Sequence, residues 1–283
     1  MSTIIRLTLL EMLKKKILYI TMVLTMIFMI LYGTALHFAY ESLPNEDLIV
    51  RLAVSSQLLS MGIYASSFII SFLSIFASVG AISSEIEQGT YDAVLSKPIS
   101  RTEVLLGKFF GIIGILIPYL LLLIAGILGL NMFFAGDASA SIPSSSIAGS
   151  FATMCILPVF LASMGIFLST FMPTVASGVI MVLLYFCAMV GGVLEKIAGF
   201  MQSAGAKTAL TNIGIGTSLV MPSDIIYRKA SSLLFTTASG LNLSAEGMLG
   251  VSSQPSKAMM IYIGGYVIVL LITALGKFKV RDL

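Results

Sequence analysis

The sequence predicts an all-α polytopic membrane protein with six transmembrane helices and both chain ends in the cytoplasm. Three observations predict it. The 283 residues have a mean hydropathy of +1.04 and only 10% charged side chains, against about 25% in an ordinary soluble domain. The apolar residues gather into uncharged runs long enough to cross roughly 30 Å of hydrocarbon, which takes about 20 helical residues. The lysines and arginines collect at the two ends and in one polar island, the pattern of cytoplasmic loops. The net charge of +3 is small and dispersed, so no nucleic-acid partner is expected. Cys155 and Cys187 lie deep in apolar runs with no C-x-x-C spacing, and they read as packing thiols without a disulfide framework.

The chain forms a single transmembrane domain over residues 1–283. Residues 1–16, MSTIIRLTLLEMLKKK, read as an amphipathic helix on the inner membrane surface. Ile5, Leu9 and Met12 would turn to lipid, with Arg6 and the lysines toward headgroups. The first span is 17–40. It lacks a small-residue cleavage site and is an uncleaved span, not a signal peptide. The second, 52–82, belongs to a run of 33 residues without a charge, long enough that it must tilt, protrude or begin as an interfacial turn. The third is 109–134, with a kink expected at Pro118. Between Ala138 and Leu194 lie 57 uncharged residues, too many for one span. Pro173 divides them into 148–172 and 174–194, because proline ends or kinks a helix at its predecessor. The sixth span is 258–276. Six spans return the chain to its starting side, which agrees with basic residues at both ends. Residues 195–257, rich in Gly and Ser, are expected to form short interfacial or re-entrant helices on the outer face.

The polar island Ser84–Lys108 holds seven of the 29 charged residues. Ser84 and Glu87 form an S-x-x-E pair. Gly89 is suited to a left-handed turn that stops a helix, and Thr90 is a good N-cap, with Asp92 in the first turn. A short helix from Tyr91 to Ser96 then ends at Pro98. Ser100 caps the next helix with Glu103 at the capping-box position, and Arg101 and Lys108 are placed to snorkel at the inner interface. Tyr91, Val94 and Leu95 give the short helix an apolar face. The element reads as a capped knob for a cytoplasmic partner, or as an ordinary connection.

The motif E-x-x-x-G-T (Glu85, Gly89, Thr90), then S-x-P-x-x-R (Ser96, Pro98, Arg101), then G-K (Gly107, Lys108) resembles the signature of ABC-2 type transporter permeases, most closely the NosY-like branch linked to nitrous-oxide reductase maturation. MPSDIIYR, with Pro222, Asp224, Tyr227 and Arg228, is similar to the P-[ST]-D-x-Y-R element that follows the fifth span there, with one extra isoleucine before the tyrosine. The resemblance covers the whole chain. It implies a type V exporter-like architecture in a bacterial or archaeal cytoplasmic membrane. It implies that Glu85, Gly89, Thr90, Tyr91, Val94, Leu95, Pro98, Arg101 and Lys108 form a coupling element docked on a separate ATPase. Two ATPase subunits and a second permease copy would complete the transporter, with lipid around it and an extracytoplasmic accessory protein as a further partner. ATP and magnesium would sit on the ATPase. The chain itself has no phosphate-cradling G-x-x-x-x-G-K-[ST] loop, and no cofactor of its own is expected.

Ser56, Ser60, Tyr64, Ser67, Ser71, Ser74 and Ser78 recur every three or four residues, on one face of the second span. The stripe reads as small-residue helix packing or as a polar lining of the substrate path. Met181, Tyr185 and Met189 repeat every four residues in the fifth span, as a soft lining or as ordinary packing. No charge falls mid-span, which argues against an ion relay and for an apolar or amphipathic substrate. No metal site is expected. Met22, Met26, Met29 and His37 are the residues from which a Cu(I) path would be built. The function expected is a permease subunit that moves a substrate outward on ATP hydrolysed by its partner. The alternatives are a non-transporting mechanotransmission or maturation subunit, or an intramembrane enzyme. The last lacks paired mid-span carboxylates, and its only histidine, His37, lies near the outer interface.

Overall fold

A computed structural model describes residues 1–42, 48–89, 100–135, 144–201, 203–235 and 255–280. Every regular element among the described residues is a helix. In chain order they are α1 (Ser2–Lys14), α2 (Lys16–Glu41), α3 (Leu48–Ser78), α4 (Ser83–Glu87), α5 (Arg101–Ala135), α6 (Ser144–Phe171), α7 (Thr174–Phe200), α8 (Ala204–Val220), α9 (Ser223–Phe235) and α10 (Lys257–Val280). Six stretches are long and apolar enough to cross a membrane: Lys16–Glu41, Val54–Glu87, Arg101–Phe134, Ser145–Phe171, Thr174–Gly199 and Lys257–Lys279. This is the six-span, all-α architecture expected from the hydropathy pattern. The break at Pro173 is where the sequence puts it, with α6 ending at Phe171 and α7 starting at Thr174. Pro118 lies inside the continuous helix α5.

The spans are unequal. The apolar stretches of α3 and α6 are 72% and 67% buried, against 22%, 33% and 17% for α2, α7 and α10. So α3 and α6 form the centre and the other three the periphery. Lipid tails are as apolar as leucine, so helix association inside a bilayer rests on close packing and hydrogen bonds rather than on expelling water. Gly165 of α6 shows how close. A Cβ there would lie 2.0 Å from Ser78 Oγ and 2.7 Å from Ser78 Cβ. The inner half of the serine stripe, Ser74 and Ser78, is fully buried, which is the packing half of the two readings.

Three local expectations change. First, α1 packs on α5 through a face other than the one expected. Ile4, Thr8 and Met12 are buried, with Ile4 against Gly107 and Thr8 against Gly111. Leu7, Leu10 and Leu13 are the exposed apolar residues. The glycines of α5 open a groove that draws in the Ile4–Thr8 edge, which rotates the helix away from the expected Ile5–Leu9–Met12 lipid face. Second, the second span is not one helix. It breaks after Ser78 at Gly80, whose φ of +94° suits glycine. The N–H groups of Ile82 and Ser83 freed by the break donate to Ser169 Oγ of α6 at 3.1 and 2.9 Å. Third, Ser84 and Glu87 do not cap their own helix. Ser84 Oγ donates to the Gly80 carbonyl. Glu87 Oε1 accepts a 2.8 Å bond from the Thr174 N–H, so it caps the start of α7, whose own N-cap is a proline.

Candidate functional site

Two polar regions stand out, one at each end of the bundle. The first is at the basic end, where the island enters and leaves the membrane. Gly89 has φ +66° and follows the last residues of α4, as its sequence context requires. On the other side, Ser100 N–H donates to Glu103 Oε2 and Glu103 N–H to Ser100 Oγ, each at 3.3 Å, which completes the capping box. The residues between them, including Thr90, Tyr91, Val94, Leu95, Ser96 and Pro98, lie outside the described residues.

The two rims of the island are tied to each other and to neighbouring helices. Lys108 does not snorkel. It is buried, forms a 2.5 Å ion pair with Glu85 and donates to the Ala81 carbonyl. Arg101 Nη1 donates to the Phe278 and Lys279 carbonyls at the end of α10, both at 3.1 Å. A cation there satisfies carbonyls that the helix leaves open and suits the negative end of its dipole. With Glu87 on Thr174, the rims of the island hold the ends of α4, α5, α7 and α10 together. None of the long-range partners is visible from the motif spacing.

The second region lies toward the opposite end. There α8 doubles back along α7, and α9 packs on α6. Arg228 of α9 meets Glu195 Oε1 at 2.8 Å and Asp224 Oδ2 at 3.0 Å. All three side chains are nearly out of solvent. Asp224 sits in the first turn of α9, where the helix dipole favours an anion. It rests on bare backbone, because a Cβ at Gly192 would lie 2.5 Å from its carboxyl carbon. Burial pushes its carboxyl above the usual carboxylate range, while Arg228 and Lys196 pull it back. The Gly192 seat is roughly 27 Å of helical rise from Thr174, near the far edge of a hydrocarbon layer about 30 Å thick.

Beside this cluster is a cavity of about 20 Å³ lined by Tyr64, Ser67, Ser71, Leu157, Tyr185, Met189, Ser223, Asp224 and Tyr227, room for about one water. Five of the residues expected on a substrate path thus meet there: Tyr64, Ser67, Ser71, Tyr185 and Met189. Ser60 adjoins them, with its hydroxyl 3.3 Å from Tyr227 Oη. Ser56 is half-buried and outside the lining, and Met181 belongs to the apolar core. Ser67 and Ser71 donate back to the Tyr64 and Ser67 carbonyls at 2.7 and 2.6 Å, so what they offer the cavity is acceptor surface. Burial pushes the Tyr227 phenol up to about 12.

The sequence reading missed Glu195 and Lys196. They appear as the charges that end the fifth apolar run, yet α7 continues through them to Phe200. The signal that would have found them is the pair of opposite charges at 195–196 facing another at Asp224 and Arg228, four residues apart. The candidates for a metal path do not converge. Met22 and Met26 are exposed on α2, Met29 packs on Gly126, and His37 pairs with Glu41 at 3.6 Å.

The described residues thus form a helical membrane domain with a tied, motif-bearing polar element at one end. A sequence model described as ABC-2 family transporter protein matches residues 3–283. The chain belongs to the ABC-2 transporter family. It is a multi-pass membrane protein of that family, and membership suggests a non-enzymatic subunit. ABC-2 membrane proteins generally partner with an ABC ATPase. The match is to the family and does not extend to the NosY-like branch. No curated protein matches the chain.

Proposed function

We propose that this ABC-2 protein is the permease subunit of an ATP-driven transporter in a prokaryotic cytoplasmic membrane. It moves its substrate outward with ATP hydrolysed by a separate subunit docked on residues 84–108. One observation carries the reading: the rims of that element grip four helices. Glu85 and Lys108 join α4 to α5, Glu87 holds the start of α7, and Arg101 holds the end of α10. A push on this element is therefore delivered to α7 and α10 together. The exposed apolar face of α7, with Val175, Val179, Leu183, Phe186 and Val190, supports a second permease copy seated there. The enclosed cavity is too small for most solutes, which supports a path formed between the two copies.

The test separates docking from transmission. The permease is purified with its co-expressed ATPase and reconstituted, and ATP turnover is measured. Tyr91→Asp with Leu95→Asp is expected to lose the ATPase. Glu87→Gln is expected to keep it bound while lowering permease-dependent turnover severalfold, because a neutral amide is the weaker cap for a helix N-terminus. An ATPase that stays coupled through all three changes defeats the reading.

A further inference from the structure

We propose that Tyr64, Tyr227 and Asp224 form a binding site for an ammonium cation, which the chain's own Lys196 fills in this structure. As a binding site the proposal stands apart from the transport reading. As a statement of substrate class, a molecule bearing a small primary ammonium head, it rests on that reading.

The Lys196 Nζ lies 5.6 Å from the Tyr64 ring centroid and 6.0 Å from that of Tyr227. Both distances are within the range at which a cation is held by an aromatic face. The two rings meet edge to face, with centroids 5.1 Å apart and planes at 71°, so they form a corner that contacts a cation on two sides. Asp224 and Glu195 attract the Lys196 ammonium from the same cluster, and Arg228 repels it. Tyr64, Tyr227 and Asp224 also line the 20 Å³ cavity, with Tyr185 and the Met189 thioether alongside. An aromatic corner, a carboxylate and a soft thioether are the groups that recognise an alkylated ammonium.

The charge count indicates which cation is exchangeable. Glu195 and Asp224 balance Arg228 and Lys196. Arg228 is fixed, since it pairs with both acids through a planar, rigid fork. Lys196 is a point charge on a flexible stem, half-buried at the edge of α7. With its ammonium swung out, the corner is left with one uncompensated negative charge in a poorly hydrated place, which is unfavourable unless another cation enters. An external ammonium of similar size meets the same rings and the same carboxylate. Lys196 thus acts as a resident competitor that holds the site closed until a ligand displaces it.

The competing view, that Lys196 is only part of a structural ion cluster, predicts the opposite effect of removing it. The probe is methylammonium chloride, titrated by calorimetry into the full-length chain in nanodiscs of phosphatidylglycerol, whose headgroup carries no ammonium. Sodium chloride at equal ionic strength is the reference. Lys196→Met is expected to bind the probe at least about tenfold more tightly than the parent, the scale of one desolvated cation–π contact. Tyr64→Leu or Asp224→Asn added to Lys196→Met is expected to remove that gain. Lys196→Gln serves where the methionine variant fails to fold. The proposal is overturned if neither Lys196 variant binds more tightly than the parent, or if the gain survives Tyr64→Leu or Asp224→Asn. No ATPase or ATP enters the titration, so a negative result leaves the transport reading standing, and a failure of ATP coupling leaves this site standing.

Discussion

Arg228 is held between two carboxylates from different helices, Glu195 on α7 and Asp224 on its own α9. A buried charge of this kind costs desolvation whichever way it is paired, so the net worth of the cluster is small. Removing one member is another matter, because it leaves the partners charged and dry. Arg228→Leu is therefore expected to lower stability by about 3–5 kcal/mol. In detergent this is read as a drop in the midpoint of thermal unfolding. Adding Glu195→Gln is expected to recover part of the loss, since it removes one stranded carboxylate. A double variant less stable than the single one would show that the glutamate has an essential partner other than Arg228.

At the scale of elements, Gly165 of α6 is seated against Ser78 of α3 where the two central helices meet. Gly165→Ala places a methyl within 2.0 Å of Ser78 Oγ and 3.3 Å of the Ser78 carbonyl carbon, so backbone as well as side chain must move. Overpacking of this sort costs about 1–3 kcal/mol, and thermal unfolding should show it. Ser78→Gly in the same chain is expected to return most of the loss, and no return would place the strain elsewhere. The same contact shows what the sequence could and could not convey. The stripe from Ser56 to Ser78 was legible, because an α-helix repeats every 3.6 residues whatever surrounds it. Its division into a packing half at Ser74 and Ser78 and a cavity half at Tyr64, Ser67 and Ser71 was not. That depends on whether α6 or α9 lies opposite. Likewise the capping box at Ser100 was legible, because both partners lie within four residues. The role of Glu87 was not, because its partner Thr174 is 87 residues away. Glu195 and Lys196 looked like the end of a span because hydropathy counts charges singly and does not see that Asp224 and Arg228 come back to meet them.

For the whole molecule, the charge cluster bears on orientation. By sequence, ten basic residues fall on the side of the chain ends and the polar island, and six on the other, namely Arg51, Lys196, Lys207, Arg228, Lys229 and Lys257. The structure lowers the effective number on that second side. Arg228 is buried against two acids, and Lys196 shares their field, so neither presents a free positive charge to the membrane surface. On the first side, Lys14, Lys16, Lys277 and Lys279 have no ion-pair partner among the described residues, and they sit at the ends of α1, α2 and α10 where short-loop charges set topology. Lys15 and Lys108 are paired on the first side as well, so the excess of basic residues there stands, and the positive-inside rule predicts Ser2 and Gln88 in the cytoplasm and Ser203 outside. The check is a chain with Cys155 and Cys187 replaced by alanine and one cysteine restored at each of these positions in turn. In intact cells a membrane-impermeant maleimide is expected to label Ser203→Cys. It is expected to label Ser2→Cys and Gln88→Cys only after permeabilisation. The reverse pattern would put the island outside the cell, beyond the reach of any ATPase, and would remove the physical basis of ATP coupling for this chain.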